Sequence, residues 1–407
     1  MTWPQVYVRD TNRRTIGRAS AWTELKLNRR RNDAGRWTLT TRDPATAALM
    51  SPPINSEGRF TGARGVIIRR SDNTILSGWC DGSPNVQHDG TTTEWTFTGW
   101  DDTVLMADTL CWPRPLAPIE EQTDKDYVVQ GPASNRIRNL YIQNVAVRLG
   151  IPGAAGGNQL NLGPNRKSRA RFDVLLTKAQ EIASRDLNFQ VRQRDSDRAL
   201  FLYQWLPVDK RPGKHPSPVV FSPALGTVRS YGHEFTPAEA SRVVVGAGGD
   251  DEERGFREFV GHVSESELAG VRKVERFLDR RDLSLTDDND NPSDEWIAEA
   301  QAAASEFLAE ATSRAKYTIT ITGEPTYRYG LDFEVGDLVR GYIGQDASSQ
   351  PIGLVDDLIE EVTATFNEEG EQTEVHIGAP DLESTNRPLE WGLRRLQRRV
   401  LALETRK

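Results

Sequence analysis

The chain has 407 residues, 51 basic against 59 acidic for a formal net charge of -8, and 37% of its residues are hydrophobic. That length exceeds one ordinary domain and predicts two to four, while the acidic balance argues against general nucleic-acid affinity, which needs basic surface to displace counterions. No run of eighteen apolar residues is present to span a membrane, and Met1-Thr2-Trp3-Pro4 lacks the basic and apolar regions of a signal peptide, so a cytoplasmic start is expected.

Residues 1–118 read as β-structure. Trp22–Leu27 and Arg36–Thr40 alternate, with the turn-forming residues Asn32-Asp33-Ala34-Gly35 between them. Further strands are expected at Gly65–Arg70, Ile75–Cys80 and Thr92–Trp100, and the proline cluster Trp112–Pro118 closes the region. Seven of the ten tryptophans fall here, and the alternation around Trp37 and Trp95 favours burial. Short strands, tight turns and alternating aromatics indicate a small barrel or sandwich. Cys80 and Cys111 sit in strand-like apolar surroundings outside any CxxC or Cys/His cluster and read as buried, inert thiols.

Residues 119–207 read as an α+β module. Ile137, Leu140, Tyr141, Val145 and Leu149 keep helical spacing, as do Phe172, Leu175, Leu176, Ala179, Ile182 and Ala183. A hairpin follows, Asn188–Arg194 with Ala199–Trp205, turned by Asp195-Ser196-Asp197. β-structure centred on Ser241–Gly246 then resumes, is interrupted by a polar stretch and a helix over Trp296–Arg314, and continues from Lys316 to about Gly378. The expected layout is a first β-barrel over 1–118, a module over 119–207, and a second barrel over 208–265 with 316–380. An inserted segment with a helix occupies 266–315, and a C-terminal helix lies in 381–407.

The two β regions share a weak repeat. Gly65–Arg70, Ile75–Cys80 and Thr93–Gly99 match Gly336–Arg340, Ile352–Ile359 and Thr373–Gly378 in order and spacing more than in residue identity. Charge is distributed in patches: basic over 9–43, densest at Arg29-Arg30-Arg31, acidic over Asp250–Glu299, basic again at the end. Separate patches suit a subunit with several neighbours. The arginine run has no aromatic platform or recognition helix beside it, so it is expected at a hairpin end, solvated or facing an acidic partner.

Tyr329-Gly330-Leu331-Asp332-Phe333-Glu334-Val335-Gly336-Asp337-Leu338-Val339 resembles the second-barrel signature of phage tail-hub and baseplate-hub proteins, which include siphovirus minor tail proteins of actinobacterial phages. Trp22–Arg42 resembles their opening hairpin, Val271–Arg281 the strand before their helical insertion, and Thr92–Asp101 with Leu110–Pro115 the end of their first barrel. The resemblance implies a mainly β chain with α+β insertions, two small antiparallel tail-tube-like barrels, and a homotrimeric ring stacked on a six-fold tail tube. It further implies a structural virion protein at the tail tip, assembled in the host cytoplasm. Its neighbours would be the distal tail protein or tail tube, the tape-measure protein and the tip or fibre proteins, with DNA passing during ejection. Relatives often carry a long hydrolase or fibre region at the end, where this chain has one helix. The acids Glu334, Asp337, Asp356 and Asp357 are the expected channel-facing residues, since a lumen rich in Lys or Arg would hold phosphates.

Catalytic look-alikes read as structure. Val243–Gly249 runs into glycines but then into Asp250-Asp251-Glu252-Glu253, which would repel a pyrophosphate. Asp287–Asn291 starts like a calcium loop, yet Pro292 stands where glycine is needed and Ala298 where a bidentate glutamate is needed. His88, His215, His233, His262 and His376 have no ligand spacing, and no serine elbow pairs with a histidine. No catalytic, cofactor or metal residue is therefore expected. A cell-wall hydrolase, with a carboxylate pair, and a carbohydrate-binding receptor module, with exposed tryptophans, remain the alternatives.

In the last segment Leu389, Leu393, Leu396, Val400 and Leu403 follow coiled-coil spacing, with Asn386 as N-cap and Pro388 in the first turn. Arg394, Arg395, Arg398 and Arg399 flank the seam. So short a helix needs packing partners: its own barrel, a three-helix bundle on a symmetry axis, or an acidic surface of a neighbouring protein.

Overall fold

The computed structural model describes residues 3–71, 73–194, 196–236, 240–248, 254–261, 274–281, 283, 285, 294–310, 314–323, 326–343 and 353–378. Two units form, one of Met1–Gly232 with Tyr317–Lys407 and one of His233–Lys316. The C-terminal seam residues Leu389, Leu393, Leu396, Val400 and Leu403 lie outside the described residues, as do the calcium-like Asp287–Asn291 and His262.

The first region is β-structure as expected: β1 Gln5–Arg9, β2 Thr15–Ala19, β3 Glu24–Arg30, β4 Arg36–Thr41, β5 Gly65–Arg70, β6 Asn73–Cys80, β7 Asn85–His88 and β8 Thr93–Asp101. Side chains alternate faces along a strand, which puts Leu25 and Leu27 of β3 and Trp37 and Leu39 of β4 in the core. A short helix, Pro44–Met50, starts where the Asp43 carboxylate accepts from the Thr46 N–H at 2.8 Å. Burial pushes the thiols of Cys80 and Cys111 up to about 12, in keeping with inert cysteines.

The module contains β9 Tyr127–Pro132, a helix Ala133–Tyr141 that continues as π-helix over Ile142–Arg148, β10 Ala154–Ala155, β11 Asn165–Ala170, a helix Leu175–Ala183, β12 Asn188–Gln193 and β13 Leu200–Trp205. Ile137, Leu140, Tyr141 and Val145 are buried on the first helix, and Leu175, Leu176, Ala179, Ile182 and Ala183 on the second. Phe172, expected on that second face, precedes the helix at a φ of 55° and is partly exposed. Met106 and Cys111 belong to the same core, so the module's packing begins before residue 119.

After β14 Val220–Phe221 and β15 Ser230–Thr236 the chain enters the second unit, made of β16 Arg242–Gly246, β17 Phe256–Val260, β18 Glu275–Asp279 and the helix Glu295–Glu310. It returns on β19 Arg314–Gly323 and continues through β20 Leu338–Ile343, β21 Gly353–Asn367 and β22 Gly370–Gly378. In the second unit the strand order is β17-β16-β18, with β16 parallel to β18. Val243, Val245, Leu283, Ala300, Ala304 and Leu308 form its core, the alanines letting the helix lie close to the sheet. Ser241–Gly246, expected in the second barrel, therefore belong to a separate small sheet.

The two-barrel expectation needs correction. The strands of both β regions form one 14-stranded sheet in the order β15-β19-β22-β21-β3-β4-β8-β6-β5-β1-β2, with β7 on β8 and β14 and β20 branching from β21. Among the described strands no pairing closes a barrel. The cause is the antiparallel pairing of β3 with β21, from Glu24 opposite Asn367 to Arg30 opposite Glu361. Each repeat copy is an antiparallel three-stranded array, β5-β6-β8 and β20-β21-β22, but the two arrays are panels of one sheet.

The centre of the first panel depends on Gly99. A Cβ there would lie 2.7 Å from the Trp37 ring and 1.9 Å from the Trp79 carbonyl oxygen. Gly99→Ala is expected to destabilise the chain by about 2–3 kcal/mol through overpacking, read as a lower urea midpoint with an unchanged slope.

Candidate functional site

The sheet and the module meet in a buried polar junction built from strand periodicity. On β3 the core face continues Leu25, Leu27, Arg29, and on β8 it continues Phe97, Gly99, Asp101. The two charges meet at 2.9 Å, with both side chains almost wholly buried. Burial pushes Asp101 up to about 7, opposed by Arg29 and by hydrogen bonds from Gly35 and Thr103. The next residue, Asp102, points the other way. There Arg9 donates to it at 2.6 and 3.0 Å, and Ser77 at 2.5 Å. Arg9 lies on the Gln5 and Tyr7 face of β1, opposite to Val6 and Val8, and it also donates to Gln193 of the module at 2.8 Å.

The rest of the arginine run extends the junction. Arg30 faces Glu361 across the β3–β21 seam at 3.1 Å, and Asn28 donates to Glu361 at 2.5 Å and to Thr363 at 3.0 Å. Arg31 reaches Glu360 at 3.3 Å, Asn188 at 2.7 Å and the Ser184 carbonyl at 3.0 Å. A register shift between Ile359 and Glu361 brings both glutamates to the seam. Arg29, Arg30 and Arg31 are thus neither solvated nor reserved for a partner subunit. Their charges are satisfied inside the chain because the strand period and the turn direct them there.

Asn32 is the pivot of that turn. Its φ of 53° is one that asparagine tolerates better than most residues. Its amide donates to the Leu187 carbonyl at 2.8 Å and accepts the Phe189 N–H at 2.7 Å. Alternate N–H groups of β12 are capped in the same way: Val191 by Thr103 at 3.3 Å and Gln193 by Ser77 at 2.7 Å. The edge of β12 is therefore covered by side chains, not left open to another strand. On the far side of β21, Arg70 holds Glu371 at 2.6 Å and the Tyr329 carbonyl at 2.7 Å.

The four acids expected to face a channel each have partners within the chain. Asp337 is buried, accepts the Glu334 N–H at 2.9 Å and lies 3.6 Å from Lys210, so it leaves the channel-facing set. Asp356 bridges Arg340 at 2.7 Å and Arg211 at 3.2 Å, Asp357 pairs with Arg185, and Glu334 accepts from Asn73 at 3.1 Å. Trp37 is buried as expected, whereas Trp95 is half-buried. Among the described residues no three His, Cys, Asp or Glu side chains are grouped to hold a metal ion, and no helix is long and apolar enough to cross a membrane.

The comparisons with known proteins agree with this architecture. Residues 5–379 match the family described as Siphovirus ReqiPepy6 Gp37-like protein. No curated protein matches the sequence. The fold is similar to that of the prophage MuSo2 43 kDa tail protein from Shewanella oneidensis, at 11% identity and a TM-score of 0.52, covering 92% of this chain and 97% of that one. It is also similar to a tail protein from Neisseria meningitidis MC58, at 13% identity and a TM-score of 0.51, covering 92% and 96%. At such identities the likeness concerns the fold.

Two outcomes follow from the junction. Glu361→Ala removes the carboxylate from a buried arginine, and is expected to cost about 3–5 kcal/mol, measured by chemical denaturation. Asp337, raised by burial to about 6, has a folded pKa above its unfolded value of roughly 3.9. Its contribution to stability is thus complete below pH ~4 and is lost as pH rises through about 6. Asp337→Asn keeps an acceptor for Glu334 and should flatten that part of the stability profile between pH 4 and 7, read from urea midpoints.

Proposed function

Because the chain belongs to the Siphovirus ReqiPepy6 Gp37-like family and shares the fold of two tail proteins, we propose that it is a structural hub at the distal end of a phage tail. Three copies would close into a ring that joins the six-fold tail tube or distal tail protein to a three-fold tip or fibre. The tape-measure protein and, during ejection, the DNA would pass through its centre.

The observation that carries this reading is the β3–β21 seam, by which each chain offers two consecutive β panels in one sheet. Three such chains about a three-fold axis supply six panels, which answers the mismatch between a three-fold tip and a six-fold tube. A passage for DNA must not grip phosphates. The cluster around β20 and β21 meets that need, since Arg185, Arg211 and Arg340 are balanced by Asp209, Asp356 and Asp357. We assign this cluster, with Glu334 nearby, to the channel wall. The C-terminal residues Leu389, Leu393, Leu396, Val400 and Leu403 supply an assembly contact, with tip or fibre proteins among its neighbours.

Light scattering of the purified chain should give three times the chain mass, and negative-stain averages should show a three-fold ring with a central opening. A monomer at every concentration would sink the hub reading. A cleared band on a host cell-wall zymogram would replace it with the hydrolase.

A further inference from the structure

A lysine and an aspartate are held together away from water where the chain leaves the module for the sheet. After β13 the strap 206–210 runs alongside β20. The Leu338 N–H donates to the Val208 carbonyl at 2.9 Å, and the Lys210 N–H donates to the Leu338 carbonyl at 2.8 Å. Asp337, just before β20, is pinned by the Ile359 N–H, which donates to its carbonyl at 2.9 Å. These contacts leave Lys210 Nζ 3.6 Å from Asp337 Oδ2, with the two side chains 15% and 4% exposed. The amine also donates to the Asp332 carbonyl, which fixes its direction.

Burial separates this pair from an ordinary ion pair. Lys178 and Glu181 are closer, at 2.8 Å, but Glu181 is 54% exposed and water keeps both ionised. Asp337 lies between the buried Val335 and Val339, and burial raises its carboxyl to about 6. A proton passing from Lys210 to Asp337 gives a neutral amine facing a neutral acid, the form that a dry site favours. The Glu334 N–H donates to Oδ2 at 2.9 Å, where negative charge develops when a nucleophile attacks the carboxyl carbon.

We propose that Lys210 and Asp337 condense into an isopeptide bond, a covalent staple between the strap and β20. The neutral Nζ attacks Cγ of the protonated carboxyl, forming the N–C bond while Oδ2, held by the Glu334 N–H, carries the charge. The proton shed by Nζ passes to the Oδ1 hydroxyl through the Glu334 carboxylate, whose charge acts on Asp337. The Cγ–Oδ1 bond breaks and one water leaves, so the step balances without a co-reactant. Oδ2 stays as the amide oxygen and keeps its hydrogen bond. Fixed neighbours supply the effective concentration that a free amine and acid lack. The bond closes slowly after folding: until then Asp337 titrates as described above, and afterwards it carries no charge. The loop so closed contains the whole second unit, so a pull on that unit cannot peel the strap from β20.

Mass spectrometry of the denatured full chain tests it. After the folded chain is incubated near pH 6, its mass should fall by about 18 Da, one water. A tryptic digest should then contain a branched peptide joining Lys210 to Asp337. Both signals should be absent from Lys210→Arg, which keeps the charge, and the loss should be slowed roughly a hundredfold in Glu334→Gln. An unchanged mass in a chain that circular dichroism shows to be folded overturns the staple. So does a loss of water that persists in Lys210→Arg, which assigns it to a succinimide at Asp81-Gly82 or Asp89-Gly90 instead.

Discussion

A charge on the core face of a strand must find a partner, because an unpaired buried ion costs several kcal/mol. That constraint organises the larger unit. Arg29 follows Leu25 and Leu27 inward on β3, and Asp101 follows Phe97 and Gly99 inward on β8, so neither strand is stable in this register without the other. The next two arginines then reach two glutamates of β21, more than three hundred residues away in sequence. Replacing such pairs with apolar residues is often harmless to stability in other proteins, but breaking one partner is not. The pairs therefore act mainly to fix which strands adjoin and in what register.

The same junction seats the α+β module. Its own core is apolar and self-contained, running from Met106 through the two helices to Leu202. Its attachment to the sheet is made instead by polar groups: Asn32, Thr103 and Ser77 capping alternate N–H groups of β12, and Arg9 and Arg31 reaching Gln193 and Asn188. Hydrogen bonds are directional where apolar contact is not, so a polar joint holds the module at one angle. Every donor on that strand edge is also denied to outside strands, which a protein with a long sheet needs if it is to pair only where assembly requires.

A single sheet also changes how the repeat is understood. Two closed barrels would each be rigid alone and could tilt against one another. Two panels zipped at β3 and β21 move together, and the Arg70 contacts to Glu371 and the Tyr329 carbonyl add a second tie between them. In such a continuous wall, strain at one panel passes through backbone hydrogen bonds to the next.

Local chemistry fixed much that the sequence could state by itself. Period-two alternation and turn residues placed β4, β5, β6 and β8 within a residue or two, though β7 was not anticipated, and helical spacing placed Ile137 through Val145 and Leu175 through Ala183 on buried faces. The same alternation carried the signal for the buried pair, since Arg29 and Asp101 each continue an apolar face, yet three adjacent arginines read more readily as surface charge. What only the tertiary structure decided was partnership. The burial of Arg9 depends on Asp102 and Gln193 arriving beside it, the arrival of Glu360 and Glu361 at the seam on a register shift, and the side-chain capping of β12 on residues from three distant segments. Bulges and long-range pairings follow from where whole strands lie, and a strand's neighbours are set by the global balance of buried charge and apolar area, which no local window contains.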